Sequence, residues 1–270
     1  MHLKRWITGL VALPFLILLI SKGGPFLFAC VVGLVCILAL WEYFRIVMQS
    51  KSGSDPWFIT TTGYITGTII IWTAYINSFE LVLGLIVLNF LACTLIALPQ
   101  FKSDSSVTEV VFKQVLGTIY IPLLLSYLIM IRNGLDGVIW IYFLLIVVFA
   151  GDIGAFYVGS YLGRRKLCPA VSPAKTIEGS IGGLAFNVGA GAVFKSLLMP
   201  SLPWAGSALF FVAVGMAGQT GDLFESLLKR GGNVKDSGVI LPGHGGILDR
   251  IDALLFAAPV AYFFKEYILL

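Results

Sequence analysis

Charge is what this sequence has least of: of its 270 residues only 12% are Asp, Glu, Lys or Arg, while 58% are hydrophobic. An ordinary soluble domain carries about a quarter charged residues, so the composition excludes that class and points to a polytopic membrane protein. Useful cysteine chemistry is also lacking. Cys30, Cys36 and Cys93 lie inside apolar runs, Cys168 lies in a polar loop, and no C-x-x-C occurs, so all four read as packing residues. The segment Ser21-Lys22-Gly23-Gly24-Pro25 offers no A-x-A-like cleavage site, which makes the apolar stretch Trp6 to Ile20 a retained helix rather than a signal peptide. Internal repeats and low-complexity segments are missing too. A net charge of +4 does not indicate nucleic acid, because the basic residues sit in short loops between hydrophobic segments.

What the chain does have is long apolar runs. Nine approach the 20 residues that cross a bilayer: 6 to 21, 25 to 48, 57 to 77, 80 to 99, 112 to 132, 137 to 163, 178 to 199, 207 to 229 and 248 to 269. Lipid offers backbone groups no water, and the runs are too long for barrel strands, so the expectation is an all-α bundle. Lys4, Arg5, Lys51, Lys102, Arg164, Arg165, Lys166, Lys175, Lys229, Arg230 and Lys235 fall in alternate loops. The tendency of basic loops to stay cytoplasmic then puts the N-terminus in the cytoplasm and the C-terminus outside. Residues 1–270 form one membrane domain on this reading. Residues 1–135 supply scaffold helices, and 136–270 form a catalytic half with cytoplasmic loops at 163–178 and 230–247.

The unusual polar residues concentrate in that second half. In "GQTGDLFESLLKR", residues 218 to 230, Gln219, Asp222, Ser226 and Arg230 recur at helical spacing and share one face. A charge at the centre of a lipid-facing helix costs roughly 2.5 to 3.5 kcal/mol on insertion scales. That face therefore lines a wet or ion-filled cavity or makes an interhelical ion pair. Asp222 lies about 12 Å inside the cytoplasmic end at 1.5 Å per residue. Asp152, in "FAGDIGAFYVGSYLG", lies at a similar depth and suits either a site or a pairing with a lysine, and the glycines around it permit close approach of a neighbouring helix. Glu42 and Arg45, three residues apart, read as a local pair.

Two loops suit phosphate. In "CPAVSPAKTIEGSIGG", Ser172, Lys175 and Thr176 beside a helix start combine a hydroxyl, an ammonium and helix-terminal N–H groups; equally, Ser172-Pro173 opens the helix and Lys175 marks the membrane edge. In "KRGGNVKDSGVILPGHGGILDRID", residues 229 to 252, glycines let amides approach an anion. Asp249 and Asp252, one turn apart, either hold a divalent cation or stabilise the helix N-terminus. If the eighth and ninth runs are neighbours, Asp222 and Asp249 approach, and a cation between them relieves their repulsion. Hard oxygen ligands favour Mg2+ over zinc.

Ser226, Leu228, Lys229-Arg230, Lys235-Asp236 and Pro242-Gly243-His244-Gly245-Gly246, followed by Asp249-Arg250 and Asp252, resemble the signature of phosphatidate cytidylyltransferases. The flanking Gly221-Asp222 and Ser172-Pro173-x-Lys175-Thr176-x-Glu178-Gly179 resemble that family as well, whereas residues 1 to 135 match it in hydrophobic character alone. The resemblance implies a multi-helix enzyme that makes CDP-diacylglycerol and pyrophosphate from CTP and phosphatidic acid with Mg2+, in the course of phospholipid synthesis. On it, Asp222 and Asp249 are metal ligands, with Asp252 a third candidate. Lys229 and Arg250, with Arg230 and Lys235, meet phosphates. Ser172, Lys175, Thr176, Ser226, His244 and the amides of Gly243, Gly245 and Gly246 contribute to substrate binding. A phosphatidate oxygen is already ionised near neutral pH, so no general base is required.

Two rivals remain at this stage. A CTP-dependent lipid kinase would need a similar nucleotide site. An ion-coupled transporter would use buried acids such as Asp152 and Asp222, but it predicts a complete polar path, and Phe143 to Val148, Leu209 to Val214 and Leu254 to Val260 are almost wholly apolar. A second cation, monovalent or divalent, and a homodimer are both compatible with the sequence.

Overall fold

The computed structural model describes residues 13–48, 57–240 and 245–269. Among the described residues are ten α-helices: α1 (Leu13–Lys22), α2 (Gly24–Val47), α3 (Trp57–Tyr75), α4 (Phe79–Gln100), α5 (Val107–Thr118), α6 (Leu124–Asn133), α7 (Gly137–Leu162), α8 (Ile177–Leu198), α9 (Trp204–Gly231) and α10 (Leu248–Phe264). The all-α expectation needs one amendment. Between α7 and α8 the chain forms an antiparallel hairpin, β1 (Lys166–Cys168) with β2 (Ser172–Thr176). Its polar sequence lies outside the apolar runs, where backbone groups are free to pair in this way.

Among the described residues, six helices are long and apolar enough to cross a membrane: α2, α4, the continuous Val107–Asn133, α7, α8 and α9. The nine runs counted in the sequence do not all become such helices. The first is described only from Leu13 onward. The third, α3, carries six threonines, whose hydroxyls lower its hydropathy even though several bond back to the preceding turn, as Thr61 Oγ1 does to the carbonyl of Trp57 at 2.7 Å. The last run opens on Asp249, Arg250 and Asp252, and its α-helical part is only 17 residues long. Large apolar side chains such as Leu95, Leu98 and Phe112 are exposed, as expected of helices whose surroundings are lipid. The protein is an integral membrane protein.

Two compact units are present, and their boundary does not simply follow the chain. The first unit contains Met1–Asn133 and Gly231–Arg250; the second contains Gly134–Arg230 and Ile251–Leu270. In the first, α1 ends at Gly23, whose N–H donates to the carbonyl oxygen of Leu19 at 3.0 Å. Gly24 then takes φ +68°, a left-handed conformation that glycine adopts without steric cost, and Pro25 starts α2 where its missing N–H costs nothing. Pro122 falls inside the run from α5 to α6, and the helix widens to a π-turn over Ile119–Leu123 rather than breaking. Tyr43, Phe44 and Tyr120 pack into the core, with the Tyr43 hydroxyl donating to the carbonyl of Lys113 at 2.8 Å.

In the second unit, α7 and α8 run antiparallel and very close. A Cβ on Gly179 would lie 2.9 Å from the carbonyl oxygen of Ala155, and one on Gly183 would lie 2.9 Å from that of Gly151. Small residues are what let two membrane helices approach this closely, as the glycines around Asp152 lead one to expect. Toward the other end of the unit Trp140, Phe143, Phe194, Phe210 and Phe264 form an aromatic cluster, with Phe143 stacked on Phe194 at 5.0 Å. Packing is therefore apolar at one end of the unit and polar at the other.

Candidate active site

The polar end of the second unit encloses a cavity of about 370 Å³ lined by Asp152, Lys175, Thr176, Ser180, Gln219 and Asp222 together with Phe156, Leu167 and small residues. Each element contributes for a local reason. The glycine-lined approach of α7 and α8 brings Asp152 beside the start of α8. Thr176 caps that helix: its Oγ1 accepts from the N–H of Gly179 at 3.1 Å. Glu178, in the first turn, accepts from the N–H groups of Arg164 at 3.0 Å and Arg165 at 3.1 Å, so the chain leaving α7 is tied to the start of α8. The hairpin between them then carries Lys175 into the cavity. From α9, Gln219 donates to the Ser180 carbonyl at 3.0 Å while its own Oε1 accepts from the Ser180 hydroxyl, which fixes α9 against α8 and turns Asp222 toward Lys175.

Lys175 Nζ and Asp222 Oδ2 form an ion pair at 2.5 Å, with both side chains partly accessible (26% and 38%). The pair sits in the cavity with Asp152. Of the charged lining residues two are acids and one is a base, a net of −1. Asp252, near the start of α10, is a further acid of this unit. At Gly221 there is no room for a Cβ against the Asp252 carbonyl, so the backbones carrying Asp222 and Asp252 are in contact. Asp252 itself accepts from the N–H of Ala253 at 2.8 Å.

The other expected residues are distributed as follows. Ser172 lies on β2 and is half-buried. Ser226 is buried on α9. Lys229 is mostly buried and pairs with the fully buried Glu225 at 2.5 Å. Arg230 donates from Nε to the Val171 carbonyl at 3.1 Å, joining the end of α9 to the hairpin turn. Lys235 and Arg250 are exposed. Gly243 and His244 lie outside the described residues.

Asp249 belongs to the first unit, where its Oδ2 accepts from Ser237 N–H at 3.0 Å, Ser237 Oγ at 2.8 Å and Gly246 N–H at 2.8 Å. The next two amides, of Ile247 and Leu248, donate to the carboxylate of Glu42 at 3.1 and 2.8 Å. The amides at the start of α10 are therefore directed to protein carboxylates, which differs from the expectation that Gly246 and the helix start face a phosphate. Glu42 and Arg45 also differ from a mere local pair. Glu42 reaches the 237–248 segment, and Arg45 donates to the Ser237 carbonyl while its guanidinium lies 5.0 Å over the Trp41 ring.

Glu42, Ser237 and Ser180 are the site-forming residues that sequence reasoning did not assign. For Glu42 a signal existed: an acid in an apolar helix needs hydrogen-bond donors or a counter-charge. Arg45 three residues on offered a nearer explanation. Ser180 and Ser237 have no signal in one sequence, because an unremarkable serine gains its role only from what folds against it.

The chain matches the family described as "Cytidylyltransferase family" over residues 3–268. It is 36% identical over 284 aligned positions to a phosphatidate cytidylyltransferase of Bacillus subtilis, covering 96% of each chain. With proteins of the same name from Haemophilus influenzae and Staphylococcus epidermidis it shares 30% and 31% identity, covering 98% and 95% of this chain and 99% and 96% of theirs. The resemblance carried by residues 172–179 and 221–252 thus extends over nearly the whole sequence, scaffold helices included, and the chain belongs to the cytidylyltransferase family.

Proposed function

We propose that the protein transfers the cytidylyl group of CTP to phosphatidic acid, giving CDP-diacylglycerol and pyrophosphate for phospholipid synthesis. The observation that carries this reading is a lysine-bearing, acid-rich cavity in a chain related along its whole length to enzymes named for that activity. Both substrates are phosphorylated, and a cavity whose own lining is net negative cannot hold them without added positive charge.

Mg2+ is proposed to supply that charge. The donor set of the second unit fits: Asp222 and Asp252 offer hard carboxylate oxygens, and no soft ligand is among the residues lining the cavity; Asp249, within the first unit, is proposed separately as a Mg2+ ligand. Among the described residues no three His, Cys, Asp or Glu side chains are already grouped as a metal cage, so the triphosphate is proposed to complete the coordination. When bound, the cation would offset charge on the triphosphate and on the departing pyrophosphate.

The chain's own residues then position the reactants. Lys175, held at 2.5 Å by Asp222, is an ammonium that can turn to a phosphate oxygen once that carboxylate has another partner. One phosphate oxygen of the lipid attacks the α-phosphorus of CTP, the bond from that phosphorus to the α,β-bridging oxygen breaks, and pyrophosphate leaves with the electron pair. The lipid phosphate arrives ionised, so no side chain has to remove a proton. Catalysis is by orientation and electrostatic stabilisation. Lys229 and Arg230 in the second unit, and Lys235 and Arg250 within the first, are proposed as further positive groups that meet phosphate. The loop that leads into the hairpin is proposed to face the cytoplasm, a reading supported by its Arg164, Arg165 and Lys166.

Purified protein supplied with labelled CTP, phosphatidic acid and Mg2+ tests the reading. CDP-lipid with stoichiometric pyrophosphate is the expected product. CDP with a newly phosphorylated alcohol in a parallel reaction would replace it with lipid-kinase chemistry.

A further inference from the structure

Glu42 is the sole acid in the 24 residues of α2 and is completely buried. Its Oε2 accepts from Leu248 N–H at 2.8 Å and from Ser237 Oγ at 3.0 Å, and its Oε1 accepts from Ile247 N–H at 3.1 Å. The first amides of a helix have no partner within it, and a carboxylate there is favoured by the helix dipole as well as by the hydrogen bonds. The usual source of that carboxylate is the helix's own first turn. Here it comes from a helix about two hundred residues earlier, while the first-turn acid, Asp249, is turned to Ser237 and Gly246.

Ser237 links the two carboxylates. Its hydroxyl lies within hydrogen-bond distance of both Glu42 and Asp249, its N–H donates to Asp249, and its carbonyl accepts from Arg45. Space is restricted in the same way. A Cβ on Gly238 or Gly246 would fall on the Glu42 carboxylate itself. At Gly246, part of the glycine-rich signature, the missing side chain therefore makes room for Glu42.

We propose that Glu42 is a positioning residue for cytidylyl transfer: it holds the start of α10 and, through Ser237, sets the orientation in which Asp249 is presented. The proposal rests on the assignment of Asp249 made under the function proposed above. Glu42 touches no substrate on this account. An ordinary buried stabiliser would affect how much protein folds, whereas a positioning residue affects how well each folded molecule turns over.

Glu42→Gln keeps the shape of the side chain but replaces one acceptor oxygen by a donor that faces N–H groups. In full-length protein purified in detergent, it should lower kcat by about 10-fold or more, the scale seen when residues supporting a metal ligand are changed. It should also raise the Mg2+ concentration needed for half-maximal rate and leave the KM for CTP unchanged. Hydrogen exchange at the Ile247 and Leu248 amides should quicken, a readout independent of activity. Ser237→Ala, which removes the link while leaving both carboxylates in place, should shift the Mg2+ dependence in the same direction, and Glu42→Asp should recover part of what Glu42→Ala loses. Normal kcat and Mg2+ dependence in folded Glu42→Gln and Ser237→Ala would overturn the proposal. A wild-type enzyme that makes no CDP-lipid would instead overturn the reading of function, a result visible before any variant is compared.

Discussion

Two polar clusters, one in each unit, are built in opposite ways. Between α3, α4 and α5 of the first unit lies a neutral network: Asn89 Nδ2 donates to Gln114 Oε1 at 3.1 Å, Gln114 Nε2 returns a bond to Asn89 Oδ1 at 3.0 Å, and Thr66 donates to Asn89 at 3.1 Å. Cys93 and Thr118 complete it. Asn89, Gln114 and Thr118 are buried and their polar atoms bond to one another. Around the cavity of the second unit the charged residues Lys175 and Asp222 are partly accessible. A closed network holds helices in register. An open set of charges, one of them balanced only by a lysine, is arranged for a guest.

That contrast is broken most severely at Asp222. Asp222→Asn removes one negative charge from the cavity and the partner of Lys175, and should reduce CDP-lipid formation by more than about 100-fold, the scale at which loss of one electrostatic contact to a transition state acts. The unfolding temperature in detergent should barely change, since the side chain is partly accessible. Product formation measured beside a thermal melt tests both halves, and near-normal turnover would remove Asp222 from the chemistry. Chelating divalent cations from the wild-type protein should likewise stop turnover and leave the melt in place. Lys175→Met should be milder, about 10-fold or more in kcat/KM, with the loss appearing for phosphatidic acid or CTP according to which phosphate it meets. Gly183→Val tests the frame of the cavity. With a backbone oxygen 2.9 Å from its Cβ it should cost about 1–3 kcal/mol through overpacking, lowering the melting temperature and activity together.

Much of this arrangement was legible in the residues. Asp152, Lys175, Gln219 and Asp222 were conspicuous because polar side chains in apolar runs need a reason, and the structure brings them to one cavity. The helical class followed from the lengths of the runs, whereas the nine spans are not all matched among the described residues, where α3 dilutes its isoleucines with threonines and α10 opens on charge. The hairpin of 166–176 was hidden, since three- and five-residue strands leave no periodicity to read. Glu42 was visible as an acid but not as the partner of Ile247 and Leu248. Hydrogen bonds across some 205 residues are made by tertiary packing, and spacing along one helix carries no trace of them.

The smallest expected effect lies in the neutral network, and it separates the two kinds of polar burial most cleanly. Gln114→Leu removes partners from Asn89, Cys93 and Thr118 at once while keeping the volume roughly constant. In water-excluded surroundings an unpaired amide costs about 1–3 kcal/mol, but hydrogen bonds between membrane helices average about 0.6 kcal/mol because the separated helices find other partners. The expected loss is therefore about 1 kcal/mol. It should be seen as a lower midpoint of unfolding in a denaturing detergent, with kcat and KM of the folded fraction unchanged. Asn89→Leu should cost a similar amount, and the double variant should cost less than the sum, because each single change already strands the other residue. A kinetic defect in folded Gln114→Leu, larger than its effect on stability, would show that the closed network reaches the chemistry and that the contrast between the units is one of degree.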